Sequence, residues 1–180
     1  KTANLKNDGK FKLFNPLTDN PSQIPDEAGN YIVCLKKGSK LPKTNPSFIT
    51  HKHQGKEVLY VGIAGNSLRK RDYRQHFNSN AGSSTLRKSI GSIIGYNKVP
   101  RSQNKDDGKT KFSDADEQKL SQWMVTNLVL YFIANDNPVA LEDILIRKFN
   151  PPLNLAKNKN QINREVRIHL SSLRSSKSQN

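Results

Sequence analysis

Three short apolar runs constrain this chain more than any other feature. They are Tyr31-Ile32-Val33-Cys34-Leu35, Val58-Leu59-Tyr60-Val61-Gly62-Ile63 and Leu128-Val129-Leu130-Tyr131-Phe132-Ile133. Each has the length and the β-branched or aromatic composition of a strand. Gly38 ends the first, and Gly65-Asn66 closes the second. Helical patterns fill the intervals. Residues 67–78 are rich in Arg, Leu, Gln and His, and Ser83-Ser84 caps a segment 85–94 in which Leu86, Ile90 and Ile93-Ile94 recur at helical spacing. Ser113-x-x-Asp116 precedes Leu120, Trp123 and Met124 as an N-cap precedes an amphipathic helix. Asn137-Pro138 opens a further helix that runs to Asn150 and stops at Pro151-Pro152. The order is strand, strand, helices, strand, helix. It predicts an α+β fold, a small antiparallel sheet of about three main strands flanked by helices, rather than a doubly wound sheet.

The rest of the chain reads as accessory. Residues 1–28, with Pro16, Pro21 and Pro25, form an irregular N-terminal arm in which FKLF (11–14) is able to add an edge strand. Phe48-Ile49-Thr50 is a further strand candidate turning through Gln54-Gly55, and 96–112, with Pro100 and Gly108, is a long polar loop. Residues 29–155 make up the expected domain. Residues 156–180 are a basic, polar tail with a short helix at 162–173.

Charge says what such a chain binds. Thirty Lys and Arg against fifteen Asp and Glu give +15, while hydrophobic residues reach only 33%, so the core is modest. The basic residues cluster at Arg69-Lys70-Arg71 with Arg74, at Arg87-Lys88, at Lys105, Lys109 and Lys111, and from Lys157 through Lys159, Arg164, Arg167 and Arg174 to Lys177. Such clusters neutralise phosphates and release counterions, which points to nucleic acid; solvated surface charge is the plainer alternative. No basic amphipathic helix with an aromatic face favours a membrane surface. No run of about 18 apolar residues is present. The first residues, KTANLKNDGK, carry no apolar leader segment, so an intracellular, cytoplasmic location is expected, nucleoid-associated when bound to DNA. Cys34 is the single cysteine, which excludes an internal disulfide and a multi-Cys zinc site.

Five features stand in a telling order. Gly29-Asn30-Tyr31 opens the first strand, and Tyr60-Val61-Gly62 lies in the second. LRKRDYRQHF (68–77) follows, and LEDILIRKFNPPLN (141–154) carries Glu142 on a late helix and Asn154 after its Pro-Pro stop. Taken together these resemble the GIY-YIG nuclease family over residues 29–154, with Asn30 in place of the family's usual Ile.

The resemblance implies a metal-dependent endonuclease that hydrolyses DNA, most simply double-stranded, with one Mg²⁺ (or Mn²⁺) per site. Tyr31 would be the leading base for the attacking water and Tyr60 its partner, with Glu142 holding the metal and Gly62 and Asn154 supporting. The residues themselves leave plainer readings open. Tyr packs well in strands, and Glu142 could simply complement a helix dipole. However, its spacing to Leu145, Ile146 and Phe149 sets its carboxylate beside an apolar stripe, which is costly unless it is paired or metal-bound.

The Arg/His helix is ambiguous. On a regular helix Arg69 and His76 lie about 20° apart and Arg71 and His76 about 140° apart. Motif order nevertheless favours Arg71 as the phosphate-holding Arg with His76 beside it, and an irregular turn would reconcile the two. Arg69, Lys70, Arg74, Arg87 and Lys88 are then expected to contact nucleic acid. His51-x-His53 reads as a turn-flanking pair rather than a metal site. The alternative function is a non-catalytic basic module binding DNA or RNA, its tyrosines packed or stacked on bases. Monomer and DNA-bound dimer both remain open, and the chemistry does not fix a restriction, repair or mobile-element role.

Overall fold

The computed structural model describes residues 10–44, 46–102 and 108–175; expectations for residues 1–9, Lys105, Lys177 and the end of the tail lie outside them. Seven strands and four α-helices follow in chain order. They are β1 (Lys12–Phe14), β2 (Gly29–Leu35), β3 (Lys52–His53), β4 (Lys56–Ala64), α1 (Thr85–Ile94), β5 (Lys98–Pro100), β6 (Thr110–Phe112), α2 (Asp114–Asn127), β7 (Leu128–Ala134), α3 (Pro138–Phe149) and α4 (Arg164–Ser175). Between β4 and α1, Arg69–Phe77 is wound as a π-helix.

The fold is α+β, and its sheet is antiparallel throughout in the order β1-β7-β2-β4-β3. The three apolar runs are the long central strands. Strand alternation divides the core in two. Tyr31, Val33, Leu59, Leu130 and Phe132 face a layer built from α1, α2, α4 and the π-helix. Ile32, Cys34, Val58, Val61, Val129 and Tyr131 face Leu145, Ile146 and Phe149 of α3. The α3 stripe read from the sequence thus packs on the sheet, with Glu142 buried at its start.

Local chemistry sets the ends of the helices. Ser84 Oγ accepts the Arg87 N–H at the start of α1, and Gly95, at φ 101°, ends it in the left-handed conformation. Ser113 Oγ likewise accepts the Asp116 N–H at the start of α2. Asn137-Pro138 starts α3, and Asn150 (φ 41°) ends it.

The three main strands are joined by the FKLF edge strand, β1 on β7, and by the two-residue β3 on β4, which makes five in the sheet. Several expectations need correction. The arm is not merely irregular: Phe14 and Ile24 are fully buried in the main core. Residues 48–50 form no strand; there the Ile49 N–H donates instead to Asn163 Oδ1. The 96–112 segment holds a small ribbon, β5 with β6, and Phe112 is buried against Gly91. The boundary expected at residue 155 is no packing boundary, since α4 buries Val166 and Leu170 in the main core. Trp123 packs at the edge of the core, partly buried.

The largest correction concerns Arg87. It is fully buried, and its guanidinium pairs with Glu117 Oε2 at 2.9 Å and donates to the carbonyls of His76, Phe77 and Glu117. It pins α1 to α2 and to the end of the π-helix, and it is not available to a phosphate.

Candidate active site

The two glycine-tyrosine triplets face each other across one strand pair. In the β2–β4 register Tyr31 lies opposite Gly62 and Val33 opposite Tyr60. The two tyrosines are therefore diagonal neighbours on one face, with ring centroids 6.2 Å apart. The glycines have a steric reason. A Cβ on Gly62 would run into the Tyr31 ring and hydroxyl, and one on Gly29 into the Ile133 carbonyl and Leu68. Gly62 is thus the floor on which the Tyr31 phenol rests. Asn30, the departure from the family pattern, points elsewhere: its amide donates to the Pro138 carbonyl and accepts from Asn135 at the start of α3.

Tyr31 and His76 form the centre. Tyr31 Oη and His76 Nε2 are hydrogen-bonded at 2.7 Å, and His76 Nδ1 lies 2.7 Å from Ser84 Oγ. Both side chains are buried. Burial, with the Tyr60 and Asp72 charges, pushes the Tyr31 hydroxyl well above its usual value near 10, while the Arg71 guanidinium beside it pulls the other way. Burial, reinforced by Arg71 and Arg87, brings His76 down to about 3. At neutral pH the pair is a phenol bonded to a neutral imidazole.

The π-helix resolves which arginine joins them. An i→i+5 winding brings residues five apart toward one face, which is the separation of Arg71 and His76. Arg71 lines the cleft with Tyr31 and Tyr60 and is braced by Gln75 Oε1 at 2.7 Å and the Ser83 carbonyl. Arg69 turns away and donates to the Ile24 and Ser22 carbonyls. Lys70 and Arg74 are exposed on the same helix, outside the cleft lining. Lys88 is half-buried near Arg174 and Lys98.

Glu142 reaches the cleft from the other layer because the chain after α3 closes the open edge of β4. Leu153 N–H donates to the Leu59 carbonyl. Asn154 accepts the Val61 N–H through Oδ1 and donates through Nδ2 to the Val61 carbonyl. One side chain thus completes the ladder that a neighbouring strand would otherwise supply. The segment carries Lys157 to Glu142, Nζ to Oε1 at 2.8 Å. Lys157 holds a left-handed backbone, φ 62°.

The resulting cleft, about 400 Å³, brings together Tyr31, Tyr60, Arg71, Glu142 and Asn154, with Thr85, Lys157 and Arg174 joining them. His76 and Gly62 stand behind it. Sequence reasoning missed Thr85, and it read Lys157 and Arg174 only as members of a basic cluster, not as residues of the cleft. Ser84 was legible only as a cap, and its second bond, to His76, depends on tertiary placement. His53 packs among the rings of Phe11, Tyr131 and Phe149, and His51 Nδ1 lies 3.1 Å from the Phe149 carbonyl. Among the described residues no cluster of three or more His, Cys, Asp or Glu could hold a metal.

A family model described as the GIY-YIG catalytic domain matches residues 29–176. The match extends past the expected boundary at 155 to include α4. No curated protein and no solved structure matches the chain significantly.

Proposed function

The chain belongs to the GIY-YIG nuclease family, and on that footing we propose that it is a metal-dependent endonuclease hydrolysing phosphodiester bonds of double-stranded DNA in the Tyr31–Glu142 cleft. The observation that carries this reading is the buried Tyr31–His76 hydrogen bond at 2.7 Å, set in the same cleft as a guanidinium and a carboxylate. A phenol hydrogen-bonded to a buried imidazole, beside a guanidinium and a carboxylate, is a set suited to moving a proton at a phosphate.

The family implies a divalent cation, and the donor set fits one kind. Glu142 is a single, largely buried carboxylate at the cleft, and a Lys157 ammonium already sits on it. One carboxylate with solvent room suits Mg²⁺ or Mn²⁺, which keep most of their waters, and not zinc. Bound there, the ion supplies charge withdrawal from the scissile phosphate and from the leaving oxygen.

The chain's own residues supply the rest. Tyr31 Oη accepts a proton from the attacking water as its own proton passes to His76 Nε2; the water oxygen bonds to phosphorus while the bond to the leaving oxygen breaks, and that oxygen takes a proton from solvent. The transfer needs Nδ1–H of His76 to donate to Ser84 Oγ, an oxygen that also accepts the Arg87 N–H and has lone pairs for both. In the free protein burial, and after it Arg71 and Arg87, oppose an imidazolium at His76. A phosphate seated on Arg71 offsets the Arg71 part of that opposition. Arg71 presents a planar fork to the non-bridging oxygens, and Tyr60 bounds the cleft on the other side of Tyr31.

Supercoiled plasmid incubated with the protein tests this directly. Nicked or linear product is expected with Mg²⁺ or Mn²⁺, none with EDTA, and none from Glu142→Ala, whose salt-sensitive DNA binding persists. Binding without cleavage under either ion overturns the enzyme reading in favour of a binding module.

A further inference from the structure

Helix α4 lies in a segment that the sequence presents as a tail, yet it walls two adjoining clefts. Arg174 lines the active-site cleft. Arg164 and Ser171 line a second, open groove of about 450 Å³ that also takes in Lys159. Leu155 borders both, so the two clefts adjoin. Residues 164, 167, 171 and 174 fall three or four apart and therefore on one stripe of the helix. Within it Arg167 is committed to the fold: it is buried and donates to Asn150 Oδ1 and to the Ile162 and Asn160 carbonyls. Lys159 and Arg164 are exposed at the groove, and among the described residues no carboxylate lines it.

The other end of the stripe is also cationic. Arg174 comes close to Lys88 of α1 and Lys98 of β5, and the Lys98 ammonium donates to the Leu173 carbonyl. Burial, and after it their neighbouring charges, pull both lysines below their ordinary values, and burial lowers Arg174 as well, with Tyr60 pulling the other way. Cations gathered this way repel one another in the free protein, and an anion seated among them offsets the cost. From Arg164 to Arg174 the helix rises about 15 Å. One strand of a duplex advances about 3.4 Å along the axis per phosphate, so the stripe runs beside about four phosphates.

We infer that the α4 stripe is the track for one DNA strand flanking the scissile phosphate, with Arg174 beside the adjacent phosphate and Lys159 and Arg164 holding phosphates about four nucleotides away. This rests on the nuclease reading of the cleft and adds a footprint that lies to one side of the cut.

The test uses the full chain and the double variant Lys159→Ala/Arg164→Ala, both exposed positions outside the cleft. Equilibrium binding to a labelled duplex is measured in EDTA over a range of salt, alongside phosphate-ethylation interference. The variant is expected to lower the slope of log K against log salt by about 2, two lost contacts at about 0.9 each. Interference is expected to vanish at two phosphates on one side of the cut site alone. Lys159→Glu/Arg164→Glu should weaken binding further, while thermal melts of both variants match wild type. An unchanged salt slope, or interference lost symmetrically about the cut, overturns the track. Loss of cleavage by wild-type protein bears on the nuclease reading instead, because the slope is measured without metal and without turnover.

Discussion

Acid sensitivity of the folded chain follows from one buried imidazole. His76 is brought from its ordinary value of 6.5 to about 3 by burial, Arg71 and Arg87. The sign follows from linkage: below about 6.5 the unfolded chain binds a proton at this position, and the folded chain does not until about pH 3. The contribution of His76 is therefore complete above 6.5 and is lost as pH falls from there toward 3. Each pH unit in that window costs about 1.4 kcal/mol. At pH 5 the loss is about 2 kcal/mol, and about 5 kcal/mol is the ceiling over the whole interval, against total stabilities of roughly 5–15 kcal/mol for domains generally. The assay is urea unfolding of wild type and His76→Gln at steps from pH 8 to pH 5, without DNA or metal. Glutamine does not titrate, so the difference between the two proteins removes the titrations they share, Asp72 included. Wild type is expected to lose about 2 kcal/mol relative to the variant by pH 5. A difference that stays constant with pH refutes the reasoning, since it would mean that His76 binds its proton alike in the folded and unfolded chain.

Other perturbations test the surroundings of the same pair. Gly62→Ala drives a methyl into the Tyr31 phenol, which cannot retreat without breaking its bond to His76; a loss of about 1–3 kcal/mol in unfolding experiments and about a 10²-fold fall in single-turnover cleavage are expected. Asp72 is fully buried, and neither carboxylate oxygen has a hydrogen-bond partner among the described residues; burial pushes its pKa well up. A raised pKa contributes stability that is complete in acid and lost as pH rises through the folded value, so Asp72→Asn should raise Tm at pH 8 more than at pH 5. Arg87→Met leaves Glu117 buried without its partner and should cost about 3–5 kcal/mol, while the DNA affinity of the folded fraction, measured well below its Tm, is expected to stay at the wild-type value.

The parts of the fold legible in the sequence are those decided within a few residues. The three central strands declare themselves by composition, α1 by Ser84 and the spacing of Leu86, Ile90 and Ile93-Ile94, and α3 by Asn137-Pro138 and Asn150. Tyr31, Tyr60, Glu142 and Asn154, which the fold gathers at one cleft, stood out in the sequence as an ordered set, and Arg71 and His76 through motif order. What stayed hidden depends on partners far along the chain. Arg87 and Lys88 look alike as sequence, but the Glu117 that buries the first is thirty residues away. The choice between Arg69 and Arg71 turned on the winding of a helix that no local pattern specifies, and packing against Ile24 and Ser84 sets it. In α4, Val166 and Leu170 carry a visible helical spacing, but the surrounding basic and polar residues make the segment read as a solvated tail. Ile49 has a strand former's side chain and no strand partner, because Asn163 takes its backbone groups.

The account stands on Tyr31 as the group that takes the proton from water, with His76 behind it. Single-turnover cleavage of a duplex by Tyr31→Phe, with protein in excess and Mg²⁺ present, measures that role apart from binding. A rate about 10²–10⁴ below wild type, the usual worth of a positioned acid–base group, with DNA affinity unchanged, is the expected result. Cleavage by the variant at the wild-type rate contradicts the account.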